Sequence, residues 1–322
     1  MKIIKPTFEI LEPYGYTLGD IWKQIERASR VCYKSEDKIT DNSAPDFVNR
    51  MIKSKHYAML EHGTVYLTFT LYHDRGGEEY ERLCQMYNRY VLNPYSRVNR
   101  KVIEGEYNAD IVYVTTNYRV PIYNEWLDDL KYLCKPTEFH EKRVCVRFIC
   151  DRGVSHEFVR HRVFSFAQES TRYCNYTKDK FGNEITYICP SWLNYDKVQE
   201  IAMIANRDNK EVYKMGHDES LPMEERGICS FIYDMSNHEH GYLFQIAAGW
   251  TPQQARAVLP NALKTELVMT GFVEDWIRFF QLRAHGTTGK PHPDAQALAE
   301  PLLVEFIMRE YITEDEYERK NT

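Results

Sequence analysis

The chain has 322 residues, 43% hydrophobic and 27% charged, with a net charge of −6. That is enough length to bury a large core, in the proportions of an ordinary globular protein. The acidic balance argues against a general nucleic-acid binder, which carries a basic stripe, and no apolar run approaches the roughly 18 residues of a membrane span.

In chain order, residues 2–11 read as a strand and 18–34 as a helix, with apolar positions at helical spacing. A second helix follows Ser43-Ala44-Pro45, carrying Phe47, Met51 and Ile52 to about Lys55. Thr64 to Leu71 alternates and is rich in β-formers, so it reads as a strand. Within the less regular stretch 75–141, Glu78–Val91 and Ile122–Leu133 look helical and Asp110–Thr116 looks like a strand. Lys142–Asp151 predicts a strand and Ser155–Arg162 a short helix. Gly182-Asn183 marks a turn before a strand at Ile185–Ile188. Residues 195–250 are helical with breaks near Gly216 and Pro222, and Thr251 to Pro260 has the cap and proline pattern of a short helix. Leu263–Thr270 predicts a strand, Val273–Leu282 a helix, and Asp294–Tyr311 a final helix, with a charged tail at 313–322 expected to fray. No repeat, low-complexity segment or linker interrupts the chain. The expectation is one α+β domain over residues 1–322, a central mixed or antiparallel sheet flanked by helices.

Eight cysteines form no C-x-x-C pair, and the first residues lack the apolar core of a signal peptide, so reduced thiols and a cytoplasmic location are expected. The 24 tyrosines suit large, partly polar interfaces. Three rival motifs fail on spacing. His156 and His161 are five apart, which puts them on different helix faces. His238-Glu239-His240 has no third ligand in view, and Gly286 to Lys290 lacks the spacing of a phosphate loop. No metal site is expected.

The densest chemistry lies at 160–173, Arg160-His161-Arg162-Val163-Phe164-Ser165-Phe166-Ala167-Gln168-Glu169-Ser170-Thr171-Arg172-Tyr173. Guanidinium forks grip phosphate or carboxylate with paired hydrogen bonds, and packing three of them with a histidine costs repulsion unless an anion binds. The interleaved aromatics set this run apart from a solvated basic face, so it reads as an anion site.

Arg-His-Arg, then Ser170-x-Arg172-Tyr173, resembles the signature of the flavin-dependent thymidylate synthases. Ala255-Arg256-x-Val258-Leu259-Pro260 and Leu282-Arg283-Ala284 are similar to two further segments of that family. So are His56 with Glu61-His62, and Arg30-Val31-Cys32-Tyr33. The resemblance runs from about residue 20 to 300, with 75–141 looking like a divergent insertion. It implies reductive methylation of dUMP to dTMP, with FAD as cofactor and NADPH and methylenetetrahydrofolate as co-substrates. It implies catalytic roles for Arg283, Ser170 and His56. Contacts to dUMP would come from Glu157, Arg160, Gln168, Ser170, Arg172, Arg256 and Arg283, with Tyr173 in support. Contacts to FAD would come from His56, Glu61, Arg160, His161, Arg162, Gln168, Arg278 and His292. It also implies a homotetramer with sites shared between chains, and neither membrane nor nucleic acid as a partner. The chain departs from the family at Ala167 and Gln168, often Asn-Glu, and at Glu157, often Gln. It departs again at Phe272 and Glu274, where Asn and Arg commonly hold the flavin's adenosine end, and an insertion at Gly286–Pro291 precedes His292. Two other readings stay open: a related flavin enzyme making a different modified pyrimidine such as a hydroxymethyl nucleotide, and an RNA-binding module.

Overall fold

A computed structural model describes residues 1–74, 76–104, 108–313 and 317. Residues 314–316 of the charged tail lie outside the described residues, as do 318–322.

The centre is a four-stranded antiparallel sheet ordered β2 (Thr7–Ile10), β6 (Arg143–Asp151), β9 (Lys264–Phe272) and β7 (Ser165–Gln168). Alternation along β6 sends Val144, Val146, Phe148 and Cys150 to one face. There they pack on α5 (Arg152–Phe158), α10 (Val273–Phe280) and α11 (Pro293–Met308). Cys145, Ala167 and Val268 point the other way, onto Ala28 and Val31 at the end of α1 (Leu18–Arg30). A helix layer on each face explains why β9 is buried almost throughout.

Two smaller sheets flank this one. β3 (Thr64–Tyr72), β5 (Ala109–Asn117) and β4 (Arg97–Ile103) form an antiparallel sheet over α2 (Ala44–Lys53) and α3 (Glu78–Val91). β1 (Lys2–Ile4) pairs in parallel with β8 (Thr186–Ile188), against α6 (Tyr195–Ala205), α7 (Asn209–His217) and α8 (Met223–Ala247).

Several boundaries differ from the sequence reading for local reasons. The first strand is two strands, because Lys5-Pro6 intervenes and proline has no N–H for a ladder. The expected helix at 122–133 is α4 (Arg119–Tyr123) and a separate 3₁₀ turn, Leu127–Tyr132, parted where Glu125 adopts φ 61°. The helical region after 195 has an extra break at 206–208, where Asp208 caps α7 by accepting from Lys210 N at 2.9 Å. Strands β4 and β7 were not expected from sequence. The correction with most consequence is at α5. Asp151 caps it by accepting from Val154 N at 2.8 Å, so the helix starts three residues before the expected Ser155 and ends at Phe158. Arg160, His161 and Arg162 therefore lie beyond the helix, in a turn leading to β7.

Candidate functional site

Strand β9 is the spine on which the site is built. β7 pairs along it through Gln168↔Leu267, and Glu169 N extends the pairing to Glu266 O at 2.8 Å. The chain then leaves the sheet in a tight turn. Ser170 N donates to Cys32 O at 3.0 Å, and Ser170 O accepts from Tyr173 N and Cys174 N at 3.1 and 2.9 Å. Ser170 Oγ accepts from Arg172 N at 3.3 Å. Arg172 is exposed and stacks on Tyr173 at 5.5 Å, while Tyr173 packs against Tyr33 at 5.1 Å. α9 (Pro252–Ala255), closed by the reciprocal Thr251/Gln254 cap, delivers Arg256, whose Nη1 donates to Thr171 Oγ1 at 3.2 Å. The turn thus holds Ser170 and Arg172 and receives the Arg256 side chain at Thr171, and neither arginine has a carboxylate partner among the described residues.

Beneath the turn lies an alternating chain of charge that sequence reading missed. Lys264 Nζ donates to Glu169 Oε2 at 2.7 Å and to Glu266 Oε1 at 2.8 Å, and Lys34 Nζ also reaches Glu266 Oε1, at 2.7 Å. Burial would raise the Glu266 carboxyl, but Lys264 and Lys34 overrule it and hold it down to about 2. Lys34 takes up φ 47° to make this contact, a left-handed backbone that a lysine adopts only at a cost. Alternating Lys and Glu at 264 and 266 on a strand was the one sequence signal available, since both fall on one face.

A second group forms where α10 ends. Arg283 sits in the π-turn Gln281–His285 that follows it. Its Nη1 donates to Glu157 Oε2 at 2.6 Å, Nη2 to Glu157 O at 2.9 Å, and Nε to His161 Nε2 at 3.1 Å. Burial and the Arg283 charge push His161 down to about 4, so at neutral pH its ring is uncharged and can accept that bond. Arg283, Glu157 and His292 line one open cavity of about 470 Å³, bordered by loop residues 288–291. Gly286 makes the loop possible: its φ is 69°, and a Cβ there would meet Gly289 O at 2.5 Å. His292 caps α11, accepting from Asp294 N at 3.3 Å. Gln168 ties α5 to the central sheet, donating to Ser155 Oγ at 2.8 Å, two residues ahead of Glu157.

The remaining expected residues are placed as follows. Glu61 accepts from Ser165 Oγ at 2.9 Å and pairs with Arg119, which the sequence had not singled out. His56 is exposed at the head of the 3₁₀ turn Tyr57–His62 and lines a separate surface groove. Arg160 and Arg162 are exposed, with no carboxylate partner among the described residues. Arg278 is exposed and lies 3.7 Å from Glu274. Phe272 is buried under two stacked guanidiniums, Arg97 at 4.6 Å and Arg143 at 5.5 Å. Of the other cysteines near the site, burial pushes Cys174 up to about 12 and Cys189 up to about 11, so neither is a thiolate near neutral pH.

Comparison with known proteins follows the same lines. The family described as "Thymidylate synthase complementing protein" matches residues 124–308, more than half of the chain. The segments around Arg30 and His56 fall outside that match. Over 135 residues the chain is 33% identical to a flavin-dependent thymidylate synthase of Corynebacterium efficiens, covering 41% of this chain and 46% of that protein. It is 29% identical over 132 residues to one of Geobacter sulfurreducens, covering 41% and 43%. The chain thus spans less than half the length of these curated relatives. A solved UMP/dUMP methylase from Streptomyces cacaoi aligns over 96% of this chain and 93% of its own at 14% identity and a TM-score of 0.38, too low to carry an argument.

Proposed function

The chain belongs to the thymidylate synthase complementing protein family, and from that premise we propose that it is a flavin-dependent thymidylate synthase acting as one catalytic unit. The substrate is dUMP, the product dTMP, methylenetetrahydrofolate the carbon donor and NADPH the reductant. The observation that carries the reading is the exposed pair Arg172, within the turn that follows Ser170, and Arg256, whose guanidinium reaches that turn at Thr171, neither with a carboxylate partner among the described residues in a chain of net charge −6. Two guanidiniums and a hydroxyl are the donor set for a nucleotide phosphate.

The residues present also fit a flavin dinucleotide. Arg160 and Arg162 are exposed cations without carboxylate partners among the described residues, suited to a diphosphate, and Arg143 is a largely enclosed guanidinium that donates to Glu61 O at 3.1 Å and Thr64 Oγ1 at 3.3 Å and stacks on Phe272. Bound there, FAD supplies the hydride, so the protein has to bind, orient and polarise. Arg283, aimed along the cavity it shares with Glu157 and His292, polarises the uracil carbonyls. The test is direct: the purified protein, saturated with FAD, should show a flavin spectrum that NADPH bleaches. No flavin binding at saturation would remove the reading.

The absence of a thiolate at Cys174 and Cys189 separates this chemistry from a cysteine-nucleophile route. Cys174→Ser and Cys189→Ser should each keep dTMP formation within about threefold, the scale of an ordinary packing change. Loss of turnover with both ligands still bound would mean that a cysteine nucleophile is required.

Two further parts of the proposal are a cytoplasmic location, with all eight cysteines free, and a homotetramer with shared sites. No described helix is long and apolar enough to cross a membrane. The tetramer is supported by the distribution of the expected ligand contacts over separate elements: His56 on its own groove, Arg256 at the Ser170 turn, Arg283 in its cavity. Sedimentation should give a species near four times 38.2 kDa. A fully active monomer would refute shared sites.

Glu157 favours one alternative. It places an acceptor-only carboxylate on Arg283, which would also suit a base edge presenting an amino group. Product analysis with dUMP and dCMP decides between the two substrates.

A further inference from the structure

α2, the turn after α1 and the loop around Lys180 border a groove of about 760 Å³, of whose lining only His56 was given a role above. Lys38, Arg50, Lys53 and Lys180 line it together with His56, against a single carboxylate, Asp37. None of the four cations has a carboxylate partner among the described residues, although the chain as a whole is acidic. The lining is ordered rather than a loose fringe of side chains. Phe47, almost fully buried, carries Arg30 at 4.8 Å and Arg50 at 5.7 Å on its ring. Arg30 is neutralised by Glu26 at 2.7 Å, so Arg50 keeps the free charge. Lys180 Nζ is pinned by Lys34 O at 2.6 Å and Tyr33 O at 3.3 Å. His56 and Tyr33 both line the groove, and the Tyr33 ring packs on Tyr173 beside Arg172, so the groove adjoins the proposed site. All its lining residues but Lys180 precede the segment matched by the family.

We propose that this groove receives the string of carboxylates on the glutamyl tail of the folate carbon donor, a further binding subsite that rests on the function proposed above. Four cations along a concave strip suit several anions on one flexible chain better than one compact anion. A nucleic-acid strand carries anions too, but it also needs a run of exposed aromatic platforms, and the described residues lining the groove offer one exposed tyrosine, Tyr33, and no exposed Phe or Trp.

The test titrates the flavin- and dUMP-loaded protein with folic acid and with its pentaglutamate, at low and at high salt. The pentaglutamate should bind about tenfold more tightly at low salt, the sum of several weak exposed pairs, and the gap should close as salt screens them. In the Arg50→Glu/Lys53→Glu protein the gap should vanish while folic acid and dUMP bind as before. Both positions are exposed, so this protein is expected to fold. Equal affinity for the two folates in the unaltered protein overturns the inference, and so does a gap that survives charge reversal. An oligothymidylate that displaces the pentaglutamate at lower concentration assigns the groove to nucleic acid instead. A protein that binds dUMP and flavin but neither folate refutes the proposed carbon donor, and the inference falls with it.

Discussion

Arg283→Ala should leave a folded, ligand-binding protein with almost no turnover. The guanidinium is fixed from three sides, by Glu157 Oε2, Glu157 O and His161 Nε2 at 2.6, 2.9 and 3.1 Å, before any ligand arrives. A donor set held in advance costs no reorganisation when charge develops on the base, and losing one such donor typically lowers kcat by about 10²–10³. Neither Glu157 nor Arg283 is fully buried, so the alanine variant strands no deeply buried charge. Arg283→Lys should recover little, because an ammonium on a flexible stem cannot reproduce a fork that bonds through Nε, Nη1 and Nη2 together. The measurement is kcat and KM for dTMP formation. If KM rises and kcat stays, Arg283 binds substrate and transition state equally and has no role in the chemistry.

The second large effect is expected at the phosphate clamp. Arg172→Ala and Arg256→Ala should each weaken dUMP binding by about 2–5 kcal/mol, the usual cost of removing one partner from a desolvated charge pair. Both side chains are exposed in the free protein, so stability should change little. Arg256 reaches the turn through Thr171 Oγ1, whereas the Arg172 guanidinium rests on the Tyr173 ring, so the two losses arise from separate supports. Titration calorimetry with dUMP checks the magnitude, and FAD affinity serves as the control. Equal loss of both ligands would mean that the variants disturb the fold rather than the clamp.

Much of the secondary structure was legible because it rests on local rules. α3 and the four nine-residue strands β3, β5, β6 and β9 follow from apolar pattern and β-former content, and α9 follows from its Thr251 and Gln254 cap. β7 was not legible: its four residues, Ser165–Gln168, carry no period long enough to read, and it exists because the edge of β9 offers free ladder positions. The shortened α5 shows the same limit. Its start depends on Asp151 turning a strand end into a helix cap, which periodicity alone does not reveal.

The candidate site divides in the same way. Sequence by itself determined which residue types carry the chemistry: the Arg160–Tyr173 run and the arginines at 256 and 283 are dense in forked donors, and that property travels with the side chains. Tertiary structure alone decided which of them act together. Arg256 meets the Ser170 turn, whereas Arg283 is held by Glu157 and His161 in a different cavity. Arg119 reaches Glu61 across 58 positions, and Lys264 reaches Glu169 across 95. Partnerships of that span have no signature in a linear pattern. The Lys264–Glu169 pair is set by the register of β7 on β9, and the Arg119–Glu61 pair by the packing of α4 on the 3₁₀ turn Tyr57–His62.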